Sequence, residues 1–197
     1  MIVLASSSRT RLDMLKAAGI DAEPLAPNVD EAMVKDALRG EGASAAEAAE
    51  ALADLKAQRI AMRLGPDPLV LAADQILDLN GVWFDKPADI DHARAHLRAL
   101  RGKSHELVSV AVAWRGGQRI WHHVGRAKLT MRPMTDEFID WYLDRVGEAA
   151  LWSVGAYQVE GLGAQLFSRI DGDHFTILGL PLLQVLDMLR LQGILRT

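Results

Sequence analysis

The chain has 197 residues, half of them apolar and 24 % charged, enough to bury a substantial core in one domain or in one domain with two lobes. A net charge of −4 argues against general affinity for nucleic acid or an anionic membrane while leaving room for a local basic pocket. The absence of cysteine excludes disulfides, thiolate chemistry and cysteine–zinc sites; with no membrane-length apolar run and no signal-peptide pattern, the expected location is the cytoplasm.

The first predicted element is a short strand, Ile2-Val3-Leu4, entering a cluster of three serines, Ser6, Ser7 and Ser8. A helix is predicted from about Arg9 to Ala18, with Leu12, Leu15 and Ala18 at helical spacing and Gly19 as its stop. Strand, small polar turn and helix N-terminus form a place where free N–H groups favour an anion, and Arg9 and Arg11 add guanidinium donors. The plain alternative is a serine N-cap with surface arginines. Residues 21–42 are mixed in character, with Pro24, Pro27 and the acidic pair Asp30-Glu31.

Ser44 followed by Glu47 is a capping box that opens an alanine-rich helix to about Leu64. Leu52, Leu55, Arg59 and Met62 are expected to mark one stripe of it, with Lys56 beside that stripe. Gly65-Pro66-Asp67-Pro68 breaks the helix. Leu69 to Leu79 reads as a buried strand, turned at Asn80-Gly81 into a partner from Val82 to Phe84. Asp89 or Asp91 starts a helix ending near Gly102. His105 to Trp114 and Gln118 to Met131 flank Gly116-Gly117 as a second hairpin, and Thr135 opens a helix to about Val146. A strand near Gln165 to Ile170, a turn at Asp171-Gly172-Asp173, a strand from Phe175 and a terminal helix starting at Pro181 complete the chain. The interleaving of helices and strands, without repeats or a linker, points to an α/β fold with a mixed sheet.

Asp74 interrupts the apolar run Leu71-Ala72-Ala73. A carboxylate there must be paired, hydrogen-bonded or metal-bound, because burial otherwise raises its pKa sharply. It serves either chemistry or a bond from a strand end to a neighbouring loop. Glu31 is a loop acid and Lys56 a helix lysine, either of which solvent alone can account for. Lys86, just after the hairpin, either returns towards Asp74 or lies on the surface. His92 and His96 lie four apart but lack the glutamate and third ligand of a zinc site. Gly161-Leu162-Gly163 lacks the third glycine of a dinucleotide fingerprint, and the serine cluster lacks the flanking glycines of a nucleophile elbow.

Taken in order, these segments resemble one family. LASSSRTRLDML is similar to the LASxSPRRxxLL opening of Maf proteins. The resemblance continues through Val29-Asp30-Glu31, Leu55-Lys56-Ala57, Ala73-Asp74-Gln75, Asp85-Lys86-Pro87 and LRGKSH (Leu100 to His105). It ends in GAYQVEGLGAQLFSRIDGD and LGLPLLQVL.

The resemblance implies an α/β fold with a mixed twisted sheet, flanking helices and two lobes around a cleft, all within a single domain over 1–197. It implies a nucleoside triphosphate pyrophosphatase that uses a divalent cation, Mg²⁺ or Mn²⁺, and water to release a monophosphate and pyrophosphate. It places Asp74 as the catalytic acid, Glu31 with Asp74 at the metal, Ser6, Ser8 and Arg11 on the phosphates, and Lys56 and Lys86 beside them. A homodimer is implied in the same way, and neither nucleic acid nor membrane is an expected partner.

The sequence also departs from the family pattern. Arg9 and Thr10 replace the proline and first arginine of the opening, and Ser153 replaces a lysine before the Tyr157 segment. Thr10, Gln75 and Glu160 fall on positions that the family uses to choose its base. Gln75 and Glu160 resemble the 7-methyl-GTP branch, whereas Thr10 fits neither branch well. A carboxylate at Glu160 can accept from the N1 and N2 donors of guanine, which favours a guanine-type or 7-methylated substrate. The rivals are dTTP and UTP as substrates, or a non-catalytic regulator of septum formation that binds nucleotide without turnover.

Overall fold

A computed structural model describes residues 1–196. The first third runs β1 (Ile2–Leu4), α1 (Arg9–Ala17), β2 (Ala22–Pro24), α2 (Glu31–Gly40) and α3 (Ala45–Leu64). The middle runs β3 (Leu69–Leu79), β4 (Val82–Phe84), α4 (Ile90–Leu100), β5 (Ser104–Arg115) and β6 (Gln118–Met131). The remainder is α5 (Asp136–Val146), three 3-10 turns, β7 (Phe167–Asp171), α6 (His174–Ile177) and α7 (Leu182–Leu191).

Among the described residues the seven strands join one sheet in the order β2-β1-β3-β5-β6-β7, with β4 paired to β3. β1 is parallel to β2 and β3, while β4 and β7 run antiparallel to β3 and β6. The sheet is therefore mixed, as the alternation of elements predicts. No helix among the described residues is long and apolar enough to cross a membrane.

The chain divides into two compact units, and β3, β5 and β6 each run from one into the other. The first unit gathers Met1–Gln75, Val108–Arg126 and the segment that begins at Asp173. Its core places Leu4, Leu71, Ala73 and Ala111 of the sheet with Leu15 of α1 and Val185 of α7. The second unit comprises Ile76–Leu107 and Ala127–Gly172. In it α4 packs on α5, burying Leu97 and Leu100 together with Ile139 and Leu143.

Local chemistry explains most boundaries. Ser44 Oγ accepts from Glu47 N while Glu47 Oε2 accepts from Ser44 N, closing the expected capping box. Gly65, at φ +81°, ends α3 in a conformation that a side chain resists. Asp89 is the N-cap of α4 and Thr135 that of α5.

Two expectations are corrected and one open region is resolved. The stripe of α3 is rotated: Met62 is 79 % exposed and Arg59 is exposed, whereas Leu52, Ala53, Lys56, Ala57, Ile60 and Ala61 are buried. Alanines pack closely enough to make the core face, so the larger residues do not define it. The segment from Phe175 is not a strand but lies within α6, because Asp173 Oδ2 accepts from Thr176 N (2.7 Å) and caps a helical turn. The mixed region 21–42 contains both β2 and α2, the latter capped by Asp30 through Met33 N.

Candidate active site

Lys56 lies at the centre of the buried face of α3, and its ammonium reaches two carboxylates. Lys56 Nζ is 2.6 Å from Asp74 Oδ1 on β3 and 2.7 Å from Glu31 Oε1 at the start of α2. Lys56 and Asp74 are each 4 % exposed, so both depend on this pairing. Glu31 is held below its ordinary carboxylate range: burial pushes it up, but the charge and hydrogen bond of Lys56, helped by Lys35 and Arg11, pull it down further.

Asp74 Oδ2 is buried and has no hydrogen-bond partner. A buried, unsatisfied carboxylate oxygen is costly unless a ligand completes it. With Glu31 close by, that atom and its charge suit a hard divalent cation, which prefers oxygen donors. Lys56 stands between the two acids as the internal counter-charge. Among the described residues no three His, Cys, Asp or Glu side chains group together to hold a metal.

The serine turn meets the same region through Arg11. β1 stops pairing with β3 at Leu4–Leu71, and Ala5 N makes the last bond across, to Leu71 O. Arg11 then reaches β3 beyond that point, donating from Nη1 to Ala73 O (2.8 Å) and Ser6 Oγ (3.4 Å), and from Nε to Gly179 O (2.7 Å). Burial lowers its pKa, opposed by the charges of Asp74 and Glu31. These three bonds of Arg11 fix the carbonyl next to Asp74. Ser6 Oγ also accepts from Ser8 N, and Ser8 Oγ from Arg11 N as the N-cap of α1. Ser6, Ser7, Ser8, Arg9 and Lys16 border a groove of about 440 Å³, and Thr10 is exposed on the first turn of α1.

Alternation along β3 turns Gln75 to the face opposite Asp74. There its Nε2 lies within hydrogen-bond distance of Ser109 Oγ, Thr176 O and Ile177 O. Lys86 and Glu160 belong to the second unit, and both are exposed. Glu160 sits on a segment fixed by unusual backbone: Gly155 and Ala156 both have positive φ. Tyr142 OH donates to Ala156 O, Ser153 Oγ donates to Tyr157 O, and buried His105 Nε2 is 2.7 Å from Tyr157 OH.

Sequence reasoning singled out neither Ser109 nor His105. The signal was available, because each is a polar residue entering an apolar strand, the same pattern that drew attention to Asp74. The discounted features have structural roles: His92 bonds its own N-cap Asp89, and His96 lies edge-on to Phe84.

A family model described as "Maf-like protein" matches residues 1–192. The chain belongs to the Maf-like family. It is 54 % identical over 191 residues to a "Nucleoside triphosphate pyrophosphatase" of Paramagnetospirillum magneticum, covering 97 % of this chain and 98 % of that one. It is 53 % identical to a protein of the same name from Granulibacter bethesdensis, covering 96 % and 95 %. A "7-methyl-GTP pyrophosphatase" of Rhizobium meliloti is 47 % identical over 98 % of this chain and 96 % of its own. Of the residues matching Maf motifs, the structure brings Glu31, Lys56 and Asp74 into one ion cluster and ties Ser6, Ser8 and Arg11 into one turn beside it.

Proposed function

We propose that this Maf-like chain is a hydrolase of nucleoside triphosphates, releasing a nucleoside monophosphate and pyrophosphate. The observation that carries the reading is the Glu31–Lys56–Asp74 cluster, with Lys56 and Asp74 buried and Asp74 Oδ2 unsatisfied. A lysine and an acid at this burial are expensive to retain for binding alone, which weighs against a non-catalytic regulator.

Water adds to a phosphorus, the anhydride bond between the α and β phosphoryl groups breaks, and one proton is released. In this reading Asp74 Oδ2, which has no partner, orients the water or takes its proton, while Oδ1 stays with Lys56. Lys56 is the counter-charge paired with Asp74 and adds positive charge where negative charge grows on phosphoryl oxygens. Glu31 and Asp74 would hold a divalent cation, Mg²⁺ or Mn²⁺, which when bound neutralises phosphate oxygens. Ser6 and Ser8 supply hydroxyls at the helix N-terminus, and Arg11 braces the strand beside Asp74. Lys86, Thr10, Gln75 and Glu160 take substrate-binding roles on the strength of their motif positions.

For the base we propose guanine, including its 7-methylated form. Glu160 offers only acceptors, which suits the adjacent N–H donors of a guanine edge better than the single N–H of uracil or thymine. The name carried by the Rhizobium relative agrees with this preference. The test is pyrophosphate release with Mg²⁺ or Mn²⁺ across 7-methyl-GTP, GTP, dTTP and UTP. The expected result is fastest turnover of a guanine nucleotide; faster turnover of dTTP or UTP would overturn the assignment of the base.

A further inference from the structure

We infer that Ser109 is a positioning residue: with the Thr176 and Ile177 carbonyls it holds the NH₂ end of the Gln75 carboxamide inwards and steadies it, leaving Gln75 a hydrogen-bond acceptor towards substrate. The inference rests on the reading above, in which Gln75 takes a substrate-binding role.

The geometry leaves one orientation. Gln75 Nε2 lies 3.1 Å from Thr176 O and 3.0 Å from Ile177 O, and both are main-chain carbonyls, which cannot donate. Turning the amide over would set Oε1 against two carbonyl oxygens at the same distances. The third neighbour, Ser109 Oγ at 2.9 Å, has its own proton committed to Thr176 O at 2.8 Å and so presents lone pairs to Nε2. All three neighbours therefore demand the NH₂ end, and Oε1 is turned away from them.

The surroundings hold these acceptors still. Ser109 is fully buried on β5, and Thr176 is 3 % exposed. Asp173 caps the turn through Thr176 N. Gly125 of β6 makes room for the Thr176 side chain, since a Cβ there would stand 2.8 Å from Thr176 Oγ1. A rigid acceptor at Gln75 selects a base edge rich in N–H donors, the chemistry of guanine rather than of a pyrimidine.

Ser109→Ala tests this directly. It removes the hydroxyl that receives Nε2 and braces Thr176 O, loosening the amide without touching substrate. The expected result is KM for GTP raised about tenfold at little-changed kcat, the scale of one hydrogen bond, with the values for UTP unmoved. Ser109→Cys, similar in size and with a weak S–H donor, should recover part of the preference. If Ser109→Ala does not fold, the same ratio measured on Ser109→Cys should lie below that of the wild type. An unmoved GTP-to-UTP ratio, or an equal loss on both substrates, would overturn the role of Ser109 while leaving the activity standing. A wild type that releases pyrophosphate from no nucleoside triphosphate would overturn this inference together with the reading beneath it.

Discussion

The single ammonium of Lys56 makes two buried or half-buried carboxylates tolerable, and its removal exposes how the cluster is balanced. Lys56→Met should destabilise the protein by about 3–5 kcal/mol, because Asp74 is left as an unpaired buried charge. Adding Asp74→Asn to that variant removes the stranded charge and should recover a large part of the loss. Urea midpoints for the two single variants and the double variant check this; strict additivity of the two losses would contradict the pairing. Glu31 adds a pH dependence with a definite sign. Its folded pKa lies below the ordinary value of 4.5, so its contribution is present above that value and lost as pH falls through the folded pKa.

Elements carry the second set of consequences. Replacing Ser44 by Ala removes the cap of α3 and should cost about 1 kcal/mol without altering selectivity, since the cap touches nothing in the site. His105 offers a sharper test. Burial holds it down at about 4, against an ordinary 6.5, so the folded protein keeps it neutral beside Tyr157. Its contribution is complete above pH 6.5, declines as pH falls and is gone below about 4. His105→Gln should therefore flatten the stability profile across that window, by at most about 1.4 kcal/mol per pH unit. Identical profiles for the two proteins would show that His105 does not titrate as described.

The legible elements were those with complete local signals. The capping box of α3, the apolar run of β3 and the Gly-Gly turn between β5 and β6 each specify themselves within a few residues. α6 was misread because Phe175-Thr176-Ile177-Leu178 is as apolar and β-branched as a strand, and only the Asp173 cap decides otherwise. The face of α3 was misread because alanines form it, which hid the burial of Lys56. Asp74 was legible for a physical reason, as a charge in an apolar strand. Its link to Glu31 through Lys56 is not, since residues 21–42 show no clear helical pattern.

At the scale of the whole molecule, the chain is acidic overall yet gathers Arg11, Lys35 and Lys56 around Glu31 and Asp74 in one unit. The two units are each assembled from separated segments, so no linker marks them in the sequence. Within the first unit, Ser6, Arg11, Glu31, Lys56 and Gly179 meet at one strand, β3, although they lie far apart in the sequence. The central claim is that Asp74 in its Lys56–Glu31 setting drives hydrolysis between the α and β phosphoryl groups. The most direct measurement quantifies monophosphate and pyrophosphate released from a guanine nucleoside triphosphate by the wild type and by Asp74→Asn, with folding checked by thermal melting. The expected result is equal amounts of the two products from the wild type and a turnover lowered by about 10²-fold or more in the folded variant. Near-normal turnover in a folded Asp74→Asn, or release of inorganic phosphate in place of pyrophosphate, would contradict it.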